Sequence, residues 1–199
     1  RQFFSRGKPL GAIEATGPAR GTGTFVRFVP DAQIFPSVVF DPGLIATRLE
    51  VKTYLHRGLR IIFKDESTTN PQARIREFRH EGGIVEYLED LIEVRKRRAV
   101  IDSVFTVDRD DNEGRMEVAL IWTESTDIVV HSFVNGIPTH DGGTHESGLR
   151  DAIGKSVRDY IDLHELSPRG VSINNDDVRE GLTAAVNLFI HEPQFQGQT

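Results

Sequence analysis

The sequence predicts an α+β fold, a mixed sheet with helices on one face. Two observations carry this. Three strand-like segments run consecutively between residues 104 and 134 instead of alternating singly with helices, and a long amphipathic stretch then separates them from a last apolar strand. The 199 residues, 38% hydrophobic and 27% charged, suit one soluble domain, or one domain and a fragment of another. With 24 Lys and Arg against 30 Asp and Glu the net charge is −6, which argues against a chain coated in nucleic acid but allows a local basic lining. No apolar run approaches the roughly 18 residues of a membrane span, and no signal peptide is visible. The absence of Cys excludes disulfides, thiol nucleophiles and thiolate metal sites, and suits a cytoplasmic protein. Beginning at Arg1 rather than Met and ending in QFQGQT, the chain reads as part of something longer.

Residues 1–29 read as short strands broken by Gly and Pro: the opening RQFF, residues 12–15, and a stronger β-branched and aromatic run from Thr24 to Val29. Asp41-Pro42 begins a helix, with Gly58 as its stop, so 42–57 is expected to be helical. A strand over 59–63, a polar hairpin loop and a returning strand over 73–78 follow. Ile84, Tyr87, Leu88 and Leu91 then mark a short amphipathic helix. Strands over 104–108, 115–122 and 127–134 form an expected meander, its turns written in DRDDNEG and TEST. Leu149, Ile153, Val157 and Ile161 recur every four residues, giving a helix over 144–165 with Thr144 as its cap. Asp176 and Asp177 are expected to cap a short turn before a closing strand at 182–190.

Four groups of residues could do chemistry. His131, His140, His145 and Glu146 fall within sixteen residues and are suitable donors for Zn or Fe. However, His140 and His145 lie five apart across a Gly-Gly break, so loop polarity and helix-start hydrogen bonding serve equally well. The glycines from Gly136 to Gly143 open a helix, where backbone N–H groups attract anions, but they match neither GxGxxG nor GxxxxGK[ST]. Arg150, Lys155 and Arg158, with the run Arg95 to Arg98, could neutralise nucleic-acid phosphates; Asp151, Asp159 and Asp162 offer a solvated, balanced face instead. The closing HEPQFQGQT reads as a polar tail whose Gln198 amide could donate to phosphate oxygens.

NGIPTHDGGTHESGLRDAI at 135–153, DDVREGLTAAV at 176–186 and EPQFQGQT at 192–199 resemble the ATPase subunits of bacterial type IIA DNA topoisomerases, gyrase B and topoisomerase IV. RGTGTFVRFVPDAQIF at 20–35 and HEGGIVEYL at 80–88 resemble the same family in the same order. The resemblance implies that residues 1–30 are the last strands of a Bergerat-type ATP-binding domain. It implies that 36–199 form a transducer domain with a ribosomal-protein-like α+β fold. Thr24 matches the family's adenine-pocket Thr, with Gly23 beside it, in a pocket that also takes aminocoumarin inhibitors. Gln198 and Thr199 match the first two positions of a Gln-Thr-Lys loop that contacts the terminal phosphate; the Lys itself falls one residue beyond Thr199. Arg150 stands where the family has Gly-Phe-Arg, with Leu149 replacing the aromatic, and inherits an expected place in a cavity for duplex DNA.

By the same resemblance the cofactors are ATP and Mg²⁺, neither held tightly by this stretch. The expected partners are an A-type subunit, duplex DNA and a second copy dimerising with ATP. No catalytic or metal-binding residue is expected within 1–199. The whole subunit is expected to be an ATP-hydrolysing topoisomerase that supercoils or decatenates DNA, and this stretch alone to be inactive. A different reading keeps the fold but makes the chain a stand-alone nucleic-acid-binding module without ATP coupling.

Overall fold

The computed structural model describes residues 1–18, 20–167 and 169–195, with Ala73 described by its backbone alone. The chain divides into two compact units, Arg1–Pro42 and Gly43–Thr199. In the first, β1 (Phe4–Ser5) and β2 (Lys8–Pro9) pair antiparallel around Arg6 and Gly7, both at positive φ. Arg6 Nε reaches Asp31 at 2.7 Å. The expected strands at 12–15 and 24–29 are not found: among the described residues neither joins a ladder, and Phe25 is 88% exposed. Strand propensity places no backbone in a sheet without a partner strand to bond it.

The larger unit follows the expected order more closely. Asp41-Pro42 does open a helix, α1 (Pro42–Leu55); proline is tolerated at the first position because its missing N–H would have had no intrahelical acceptor. The hairpin strands are β3 (Ile61–Lys64) and β4 (Ile75–Phe78), with Ile61 opposite Phe78. Their connection is less open than its composition suggests. It contains one helical turn, α2 (Pro71–Arg74), capped by the Asn70 side chain accepting from Gln72 N at 3.0 Å, and this delays the return strand. The short amphipathic helix is α3 (Ile84–Val94). There follow β5 (Phe105–Asp111), β6 (Gly114–Trp122), β7 (Val129–Val134), β8 (Ile137–Pro138), α4 (Thr144–Leu163), α5 (Asn175–Arg179) and β9 (Leu182–Ile190).

Two caps differ from expectation. Thr144 is the first residue of α4 and Gly143 precedes it without a side-chain cap. Asn174, not the aspartates, caps α5: its side chain accepts from Asp176 N and Asp177 N while Asp177 accepts from Asn174 N at 2.8 Å.

The sheet order is β5-β6-β9-β7-β8, which overturns the three-strand meander. β9 lies between β6 and β7, antiparallel to the first and parallel to the second. Every residue from Leu182 to Asn187 is buried, the pattern of a strand covered on both faces. That covering also corrects the expectation of helices on one face. Val118, Leu120, Leu182, Ala184 and Val186 pack with Ile153 of α4 and Val178 of α5. The alternate residues Ala119, Ile121 and Ala185 pack with Ile84 and Leu88 of α3. Side chains alternate along a strand, so α3 and α4 lie on opposite faces.

Gly181 lies at the start of β9 with φ +76, where a Cβ would come 2.3 Å from the Thr123 carbonyl, so only glycine fits this close approach. Leu88 is fully buried against the sheet. Leu88→Ala is therefore expected to cost about 2–5 kcal/mol, read as a lower denaturant midpoint at unchanged slope.

Candidate functional site

The site is built where β7, β8 and the start of α4 meet the C-terminal half of α1. Asn135 and Gly136 both adopt positive φ, 50° and 70°, the geometry of a two-residue hairpin that turns β7 back into β8. At Gly136 a Cβ would meet His56 Nε2 at 2.8 Å, so α1 approaches this turn closely. The Lys52 ammonium donates to the Gly136 carbonyl.

Beyond the turn, side chains tie the sheet edge to α4. Ser132 Oγ lies 2.6 Å from Thr139 Oγ1, which lies 3.0 Å from His145 Nε2. Ser132 also reaches Glu146 Oε2 at 3.2 Å. Arg150 donates to the other Glu146 oxygen from both Nε, at 3.1 Å, and Nη2, at 2.8 Å. Of these groups Ser132, Thr139 and Glu146 border a cavity of about 630 Å³ whose other walls include Arg48, Lys52, Tyr87, His131 and His140.

The histidines do not converge on a metal. His131 Nδ1 lies 2.5 Å from the Tyr87 hydroxyl, His145 contacts Thr139, and Glu146 is occupied by Arg150. Among the described residues no group of three His, Asp or Glu could hold an ion. Burial pushes the Tyr87 phenol up to about 12, so it stays protonated beside His131. Burial first, then the charges of Arg95 and His140, lower the pKa of His131; burial also lowers that of His145.

The other basic residues separate by role. Lys155 pairs with Asp159 at 2.6 Å and Arg158 donates to Asn175, in keeping with a balanced helical face. The 95–98 run is more than solvated surface: the Arg97 side chain is largely buried, donating to Asp127 at 3.0 Å and to Thr183 Oγ1.

Thr24 and Gly23 belong to the smaller unit, where both are exposed and nothing lies within 4 Å of a Cβ built on Gly23. By themselves they do not enclose a nucleotide. Gln198 and Thr199 lie outside the described residues. Sequence reasoning misses Arg48 and Lys52, although two like charges spaced i,i+4 on a predicted helix are a usable signal. It marks Tyr87 only as a core position of its helix.

The fold has counterparts among solved proteins. The 43K ATPase domain of Thermus thermophilus gyrase B in complex with an aminocoumarin superposes with TM-score 0.71 at 30% identity, over 84% of this chain and 44% of that one. The B-subunit of the DNA gyrase from Myxococcus xanthus gives 0.73 at 26% identity, over 96% and 54%. The fold is thus the mixed α+β arrangement of the ATPase regions of type II topoisomerases. A family model described as DNA gyrase B matches residues 83–199. The DNA gyrase B protein of Eisenibacter elegans is 39% identical over the whole of this chain. The chain belongs to the DNA gyrase B family, and it spans 42% of the length of that relative. Among the described residues no helix is long and apolar enough to cross a membrane.

His131 and His145 bind protons less readily in the folded chain than at the ordinary value of 6.5. Between that value and their lowered ones the unfolded chain binds more protons, so stability is complete above about pH 6.5 and falls as pH drops. Thermal melts from pH 7.5 to 5 are expected to show this decline, and His131→Gln to make it shallower.

Proposed function

We propose that residues 36–199 are the transducer domain of a type II topoisomerase of the gyrase B kind and residues 1–30 the closing strands of its ATP-binding domain. In this reading the chain couples ATP binding and hydrolysis to gate motion and DNA strand passage. The observation that carries it is similarity along the whole chain, extending through residues 1–82 where the family model does not reach. Thr24 and Gly23 would contribute to the adenine pocket, and Gln198 and Thr199 would touch the terminal phosphate, giving the two domains contacts that differ before and after hydrolysis. The remaining ATP and Mg²⁺ contacts would come from elsewhere in the whole protein. Partners in the complete enzyme would be an A-type subunit, duplex DNA and a second copy of the ATPase subunit.

Arg150 is the residue proposed to face the transported duplex. Its pairing with Glu146 holds the guanidinium in one direction, and its Nη1 donors are not used in that pair. With its charge shared with Glu146, the guanidinium would contact phosphate through these remaining N–H donors, without reading sequence.

In the full-length subunit with its A-type partner, Arg150→Gln is expected to lower strand passage about tenfold while leaving DNA-independent ATPase within twofold. Gln198→Ala is expected to reduce supercoiling or decatenation more than nucleotide binding. The 199-residue chain alone should not hydrolyse ATP. Nucleotide-saturable hydrolysis by it, or strand passage untouched by both substitutions, would overturn the reading.

A further inference from the structure

The cavity beside the β7–β8 turn carries charges that the topoisomerase reading does not use. Arg48 and Lys52 are one helical turn apart on α1, and both line it. Like charges at this spacing repel, and among the described residues neither forms an ion pair. Lys52 is further disfavoured as a cation by burial and by Arg48. Its hydrogen bond to the Gly136 carbonyl anchors the ammonium and leaves two donors. Of the two carboxylates in the lining, Glu146 is neutralised by Arg150, which leaves Asp141 opposite the two cations.

The remaining walls suit an anion with an organic body. His131 is hydrogen-bonded to the Tyr87 hydroxyl through Nδ1 and also lines the cavity. His140 adds a second imidazole, and Ser132 and Thr139 add hydroxyls. Val51, Val130 and Phe133 supply apolar surface, and about 630 Å³ is the size of a small-molecule pocket.

We propose that this cavity binds a phosphorylated small molecule, its phosphate held by Arg48 and Lys52 and its body lying against Tyr87 and Val130. Arg offers a flat two-donor fork and Lys a point charge, a pairing well suited to phosphate oxygens. The site does not depend on Arg150 meeting DNA.

The test is calorimetric titration of the chain with inorganic pyrophosphate at low ionic strength, with a duplex of about 12 base pairs, just over one helical turn, titrated separately. Saturable one-site binding is expected, weakened about tenfold or more by Arg48→Gln and by Lys52→Met. Lys155→Met, which removes the same charge from the far part of α4, should leave it unchanged. Thermal melts of each variant check folding, and if Lys52→Met does not fold, Arg48→Gln on the exposed end of the pair decides alone. The proposal falls if pyrophosphate does not saturate, or if Lys155→Met weakens it equally. It also falls if Arg48 and Lys52 govern binding of the duplex but not of pyrophosphate, which would make this face a nucleic-acid contact.

Discussion

The parallel pairing of β9 with β7 is the constraint on which the larger unit depends. Parallel neighbours cannot be joined by a tight turn, so the chain must leave the end of β7, cross the sheet and return to its start. Here β8, α4 and α5 make that journey, and Val129 then lies opposite Thr183 and Val134 opposite Leu188. The same insertion places β9 against β6 over nine residue pairs, from Gly114 opposite Ile190 to Trp122 opposite Leu182. One strand thus joins two pieces of sheet and supplies apolar side chains to both faces. It also brings α4 to the edge where the β7–β8 turn meets α1, which assembles the cavity from residues far apart in sequence.

A buried polar node holds α1 in place on that framework. Asn187, fully buried in the middle of β9, donates to Glu117 Oε2 at 3.0 Å and to the Leu55 carbonyl at 3.3 Å. Glu117 is itself buried and accepts from Arg115 at 2.8 Å, with Arg57, in the turn just after α1, at 3.6 Å. A buried carboxylate is costly unless its oxygens are occupied, so this node gives α1 one seating instead of several apolar ones. Tyr54 adds a further link, stacking on His80 at 3.6 Å between ring centroids and donating to Asp90. The placement of Lys52 over the Gly136 turn follows from that seating.

Much of the element order was legible because local signals agreed. Asp41-Pro42 started α1, and the four-residue recurrence through Ile161 marked α4. The family motifs around 135–153 and 176–186 were equally plain, since long motifs tolerate few accidental matches. The site was legible only in pieces. Thr139, His145, Glu146 and Arg150 lie close in sequence, yet Glu146's grip on Arg150 and the partition of the three histidines depend on where β8 turns α4. In sequence Arg97 is one of four adjacent cations, and its burial against Asp127 and Thr183 arises from strand neighbours at distant positions.

By itself the sequence determined the periodicity of each helix, the composition of each turn and the ancestry written in its motifs, all properties of residues within a few positions of one another. Only the tertiary structure decided that β9 separates β6 from β7, that helices cover both faces, and that Arg48 and Lys52 share a cavity with Tyr87 and His131. Those outcomes come from burying apolar surface and bonding backbone between segments far apart along the chain, which no local pattern encodes.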